Sequence, residues 1–272
     1  MSIFKYNYGI KLYEETNPHF KTFRKYGNFP SNLTLGFENE IVYNPGYNSK
    51  LDQRIGAVIK RYPYLYLKEE CSNNGVELNS HPFNWNWFQF NQHFIQSVAS
   101  LSNPVNFRTN NHCGFHIHLV RKFFNKKHLT KMVKFFYSPE HDKFLFKISK
   151  RNRRAFEEYS NTNISCNVIG DDCVFKEIAC MKLNDFDEFF GSKLSILNLA
   201  YKKTIEIRMF KGTVNPVLFQ AYLEFAVAVT LFTKITSYND ITIKNFRKYV
   251  KKNIRKYFNL YRLISRPSSL KA

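Results

Sequence analysis

Gly36-Phe37-Glu38-Asn39-Glu40-Ile41 sets two carboxylates two residues apart between apolar neighbours. In a strand, residues i and i+2 share a face, so Glu38 and Glu40 project together while Phe37 and Ile41 cover the other side. The same period recurs in Gly114-Phe115-His116-Ile117-His118-Leu119 and in Thr204-Ile205-Glu206-Ile207-Arg208-Met209. His116 with His118, and Glu206 with Arg208, then extend one charged, wet face over an apolar side containing Phe115, Ile117, Ile205 and Ile207. Such a set of carboxylates, imidazoles and a guanidinium is costly to hold together without a ligand, and a cation with an anionic partner compensates it. The pattern predicts a metal-dependent site on a sheet face.

Working outward, strand-like alternation covers residues 33–43, 64–68, 75–79, 114–121 and 194–210. Helical spacing covers 85–101, 126–137 with a continuation to 149, and 215–233, where Asn215-Pro216 supplies a cap followed by proline at the first helical position. No regular βαβ repeat is present. The expected fold is α+β, a largely antiparallel, curved sheet backed by helices in a single domain over 1–272. Its core falls at about 33–235, with a basic helical C-terminal extension at about 242–266.

The chain has 272 residues, and 17% of them are aromatic, which is ample for a sizeable core. Its N-terminus lacks the basic and apolar regions of a signal peptide, so a soluble cytoplasmic protein is expected. The longest apolar stretch, 216–233, is interrupted by Gln220 and Glu224 and is expected to be too short and polar to span a membrane. Five cysteines without a C-x-x-C pair point to reduced thiols.

The net charge is +20, and half of it lies between Thr242 and Ala272, where ten Lys or Arg stand with no acid. Ile243, Phe246, Val250, Ile254, Tyr257, Phe258 and Tyr261 give this segment an apolar stripe, so a basic amphipathic helix is expected. Its charged face is either simply solvated or a surface for nucleic acid or another polyanion.

Glu70 and Glu77 add carboxylates close to further strands. Hard oxygen donors select Mg²⁺ or Mn²⁺, and Mn²⁺ tolerates an added imidazole. The rival is zinc on His112, Cys113, His116 and His118; strand parity opposes it, because Cys113 faces away from the two histidines. No G-x-x-x-x-G-K-[ST] or G-x-G-x-x-G loop is present, so nucleotide phosphates would have to be held through metal and side chains.

Four motifs in order carry a resemblance. They are Gly36 to Glu40; Lys68-Glu69-Glu70-Cys71-Ser72 with Gly75 to Pro82; Cys113 to His118; and Leu197-Asn198-Leu199 with Thr204 to Thr213. Together they resemble the amidoligase family, carboxylate-amine ligases of the glutamine synthetase-like fold, over about 36–233. The resemblance implies ATP-dependent amide formation from carboxylate and amine substrates (an amino acid, peptide or protein) through an acyl phosphate. It implies Glu38, Glu40, Glu77, His116 and Glu206 as metal ligands and Arg208 as the phosphoryl-stabilising group. It places His118 at metal or substrate, Glu70 and Ser72 among nucleotide or substrate contacts, and Arg151 and Arg154 in a stretch where relatives carry basic residues. Glu70 stands where the family has Asp and Cys71 where it has Gly, and neither change removes an implied ligand. The competing functions are an inactive ligase-fold protein that binds a polyanion through its basic surface, and a metal-dependent hydrolase that needs no nucleotide.

Overall fold

The computed structural model describes residues 33–43, 65–70, 75–90, 107–160 and 194–266. The strands are β1 (Thr34–Tyr43), β2 (Leu65–Glu70), β3 (Gly75–Ser80), β4 (Phe83–Asn84), β5 (Phe107–Arg108), β6 (Gly114–Val120), β7 (Leu197–Asn198) and β8 (Thr204–Lys211). The α-helices are α1 (Trp85–Phe90), α2 (Lys126–Tyr137), α3 (Asp142–Ser149), α4 (Arg153–Tyr159), α5 (Pro216–Ile235), α6 (Ile243–Lys252) and α7 (Phe258–Ser265). The eight strands hydrogen-bond as an open sheet in the order β2-β3-β1-β6-β8-β7, with β4 and β5 also pairing β1. Pairings of β1 with β3, β4, β5 and β6, of β2 with β3 and of β7 with β8 are antiparallel. This is the α+β class with a largely antiparallel sheet.

Backbone contacts group the described residues into two compact units, one drawn from 33–119 and 211–219, the other from 120–210 and 220–266. In the first, alternation along β1 and β6 turns Phe37 and Phe115 to one side, where their rings stack at 5.6 Å and meet Phe219 edge-on at 4.8 and 5.1 Å. Asn39 shares that apolar side and is fully buried. Its Nδ2 donates to the Thr213 carbonyl at 2.9 Å, and its Oδ1 accepts from the Thr213 N–H at 3.0 Å. One side chain thus satisfies a peptide unit distant in sequence, as a buried backbone group requires.

The second unit is built on aromatic packing. Phe135 of α2 meets Phe225 and Phe232 of α5 and Phe246 of α6, with centroids 6.2, 6.3 and 5.0 Å apart. Helix α5 starts where Asn215-Pro216 predicts, the Asn215 Oδ1 accepting from the N–H groups of Val217 and Leu218. It is long and apolar enough by length and composition to cross a membrane, and 78% of its most apolar window is buried within the structure.

Three expectations are corrected. Residues 194–210 do not form one strand: β7 and β8 pair with each other across the turn at 199–203. The continuation of α2 is interrupted at Pro139, which cannot donate a helical hydrogen bond, and α3 starts anew after a 3₁₀ turn at Pro139–His141. The single basic C-terminal helix is two helices, α6 and α7. Tyr257, at the N-cap of α7, supplies no side-chain cap; instead buried Glu224 of α5 accepts from the Leu260 N–H at 2.7 Å, and the Asn259 amide lies 3.3 Å from its other oxygen. Of the helix expected at 85–101, residues 91–101 lie outside the described residues.

Two predictions test these contacts. Asn39→Ala leaves the Thr213 N–H and C=O buried without partners and should destabilise by about 3 kcal/mol in denaturant unfolding. Burial pushes the Glu224 carboxyl up to about 7, against the hydrogen bonds from Leu260 and Asn259 that favour its charge. The folded-state value is therefore above the unfolded one, and this group's contribution is full below about pH 4.5 and lost as pH rises to about 7. Glu224→Gln should remove that slope, measured as the difference between the two proteins' stability-pH curves.

Candidate metal centre

The β1–β6 register places Glu38 directly opposite His116, and Gly36 opposite His118. With no side chain at Gly36, His118 is diagonal to Glu38 on the same face, within reach of a long side chain. The His118 Nε2 lies 3.3 Å from Glu38 Oε1, and the His116 Nδ1 lies 3.6 Å from Oε2. Burial raises the Glu38 carboxyl, but the hydrogen bonds and charges of His116 and His118 outweigh it and hold the group well below the usual carboxylate range. Glu38 therefore remains a carboxylate across the physiological range.

Glu40 extends the acidic side of β1, and its Oε2 accepts from the Gly114 N–H at 2.5 Å. Across the β1–β3 pairing its partner is Glu77, which is half-buried and also opposite Lys68 of β2. Gly212 is required nearby: a Cβ there would stand 2.3 Å from the Glu40 carbonyl oxygen and 2.9 Å from the Cys113 Cβ. Only glycine allows this approach, in which the Gly212 N–H donates to the Cys113 carbonyl at 2.8 Å.

In the second unit Glu206 is fully buried on β8. Its Oε1 pairs with the Arg208 guanidinium, and its Oε2 accepts from the Asn198 amide at 3.0 Å. Asn198 stands opposite Glu206 in the β7–β8 register, and its own Oδ1 accepts from the Ala200 N–H at 3.0 Å, which starts the turn into β8. Arg121 ties that turn through the carbonyls of Leu199 and Tyr201 at 2.6 and 3.3 Å. Arg151 is buried beside Tyr159, its guanidinium carbon 5.4 Å from the ring centroid, whereas Arg154 is exposed on α4. Glu70 ends β2 with its side chain outside the described residues, and Ser72 lies outside them altogether.

One donor atom each from Glu38, His118 and Glu206 lies within 4.8 Å of the others, a group that could hold a metal ion. Ligands on one Mg²⁺ with bonds of about 2.1 Å stand roughly 3–4 Å apart, so this spread is close to that of a bound set. Two carboxylates and an imidazole offer hard oxygen with one borderline nitrogen, and the donor set fits Mg²⁺, Mn²⁺ or Zn²⁺ in its chemistry. Glu40 of β1, Glu77 of β3 and His116 of β6 stand outside the group, although the His116 Nδ1 lies 3.6 Å from Glu38. Cys113 is fully buried with its thiol on Asn110 Oδ1 at 3.3 Å, so the zinc set built on Cys113 does not form among the described residues. Asn198 was not among the sequence candidates; its signal is a lone amide between Leu197 and Leu199.

Comparison with models of known protein families and with curated proteins gave no match.

The charge of Glu206 is offset by its pairing with Arg208. Glu206→Gln should lower stability, because it removes the counter-charge of a part-buried guanidinium. Addition of MnCl₂ should raise the wild-type Tm, by about 5 °C at a hundredfold excess over Kd. Glu38→Gln and His118→Asn should each abolish that shift while keeping the wild-type circular dichroism spectrum. An undiminished shift in both variants would place the cation elsewhere.

Proposed function

We propose that this protein is an ATP-dependent carboxylate-amine ligase with a glutamine synthetase-like sheet. The carrying observation is the Glu38, His118 and Glu206 donor group with Arg208 paired to Glu206. The ordered motifs around those residues, which resemble the amidoligase family, supply the reaction class.

In this proposal Glu38, His118 and Glu206 would hold Mg²⁺ or Mn²⁺, which would supply screening of the charge on the ATP phosphates. Two carboxylates against the single guanidinium of Arg208 leave the site net negative, which favours a cation. Arg208 is already oriented by Glu206, so its fork can face a transferring phosphoryl group without a large rearrangement. A substrate carboxylate oxygen attacks the γ-phosphorus, the bond to the β-phosphate oxygen breaks, and ADP leaves with that electron pair. The amine nitrogen then attacks the acyl carbon, phosphate departs, and the nitrogen proton passes to solvent or a neighbouring base. Glu40 and Glu77 add negative charge beside β1 and are candidates for a further cation.

The test is ADP release with Mg²⁺ and a panel of carboxylates, with hydroxylamine added to trap the acyl phosphate as a hydroxamate. The reading predicts hydroxamate formation in step with ADP, and a loss of about a hundredfold or more in Arg208→Gln. Metal-dependent cleavage of an amide or ester substrate in the absence of ATP would favour the hydrolase. Absence of turnover with intact Mn²⁺ binding would favour an inactive protein of the same fold.

A further inference from the structure

We infer that helix α6 presents a docking surface for the phosphodiester backbone of a nucleic acid. Lys244, Arg247, Lys248, Lys251 and Lys252 recur at i, i+3, i+4, i+7 and i+8, the spacing of a single helical face, and Arg255 follows them. All six are exposed. Lys244, Lys248 and Lys252 succeed one another about 6 Å apart along the axis at 1.5 Å per residue. The opposite face is fixed inward: Phe246 and Val250 are fully buried, and the Phe246 ring lies 5.8 and 5.4 Å from those of Phe225 and Phe232. The charged stripe is therefore held outward by the core and cannot roll under.

Helix stability does not account for this stripe. Like charges at i and i+4 destabilise a helix, and the stripe holds three such pairs, Lys244 with Lys248, Arg247 with Lys251 and Lys248 with Lys252. Lys251 and Lys252 favour the C-terminal end of the helix dipole, but Lys244 sits in the first turn, where a cation is unfavourable. Among the described residues Lys244, Lys248, Lys251, Lys252 and Arg255 make no ion pair, and no acid occurs anywhere in 242–272. Uncompensated positive charge arrayed on a rigid face becomes favourable when counterions on a polyanion are released. Phe258, 54% exposed at the start of α7 with the Arg262 guanidinium 5.9 Å from its ring, adds a surface on which a base can stack. A membrane fits less well, because an interfacial helix must bury its apolar face in lipid and that of α6 is already in the protein core. This surface is independent of the metal centre and of the ligase proposal.

The experiment is fluorescence anisotropy of the full-length protein with labelled oligonucleotides of mixed sequence, single-stranded and duplex, across a salt series. Wild type should bind at low salt and weaken steeply as salt rises. In K248E/K251E/K252E/R255E, affinity should fall at least tenfold and the salt slope should shrink by about three. K122E/K127E/K202E/K203E, which changes the net charge equally at exposed sites elsewhere, should keep the wild-type slope. If the charge-reversed protein does not fold, the corresponding four-glutamine variant carries the same prediction. The inference is overturned if the stripe variant keeps wild-type affinity, or if the control loses as much. Binding to phosphatidylserine vesicles that oligonucleotide does not displace would likewise overturn it.

Discussion

A strand gives each residue the face opposite to its neighbour's, and in β1 that alternation divides the chemistry of the protein. Phe37 goes to Phe115 and Phe219, and Asn39 goes to the Thr213 backbone, so the register of β1 is fixed from its apolar side. A slip of one residue would bury Glu38 and Glu40 and expose Phe37, which no side-chain rearrangement could offset. With the register locked, Glu38 has no choice but to face His116 and His118. The apolar packing is thus what positions the polar site.

Glu38 and Glu206 on the polar side each have partners that offset their charge. Glu38 is held ionised by two imidazoles, while Glu206 has one oxygen on Arg208 and the other on Asn198. These partners orient the carboxylate oxygens. A cation held by Glu38, His118 and Glu206 would meet donors that these partners orient. The arrangement accounts for how buried carboxylates persist in a protein whose positive charge is concentrated elsewhere.

The parts of the fold legible in the sequence were those with a strong local period or cap. The alternation in β1 and β6 and the Asn215-Pro216 start of α5 needed nothing from the rest of the chain. What was not legible depends on distant partners. The turn between β7 and β8 contains no Gly or Pro, and it forms because Asn198 caps its first N–H and Arg121 binds two of its carbonyls. The break between α6 and α7 follows from Glu224, more than thirty residues away, supplying the cap that Tyr257 does not. At the site, residue types and faces could be inferred, but which acids share a cation could not, since that depends on the lateral position of each strand. The resemblance implied Glu40, Glu77 and His116 as ligands alongside Glu38 and Glu206, and left His118 at metal or substrate.

The central claim is that Glu38, His118 and Glu206 form one cation site. The most direct measurement is an anomalous difference map from a crystal grown with MnCl₂ and ADP, collected near the manganese edge. The account predicts a peak within coordination distance, about 2.0–2.3 Å, of a Glu38 oxygen, a Glu206 oxygen and the His118 imidazole, with nucleotide phosphate adjacent. Manganese bound away from all three residues, or nucleotide ordered with no metal near them, would contradict it.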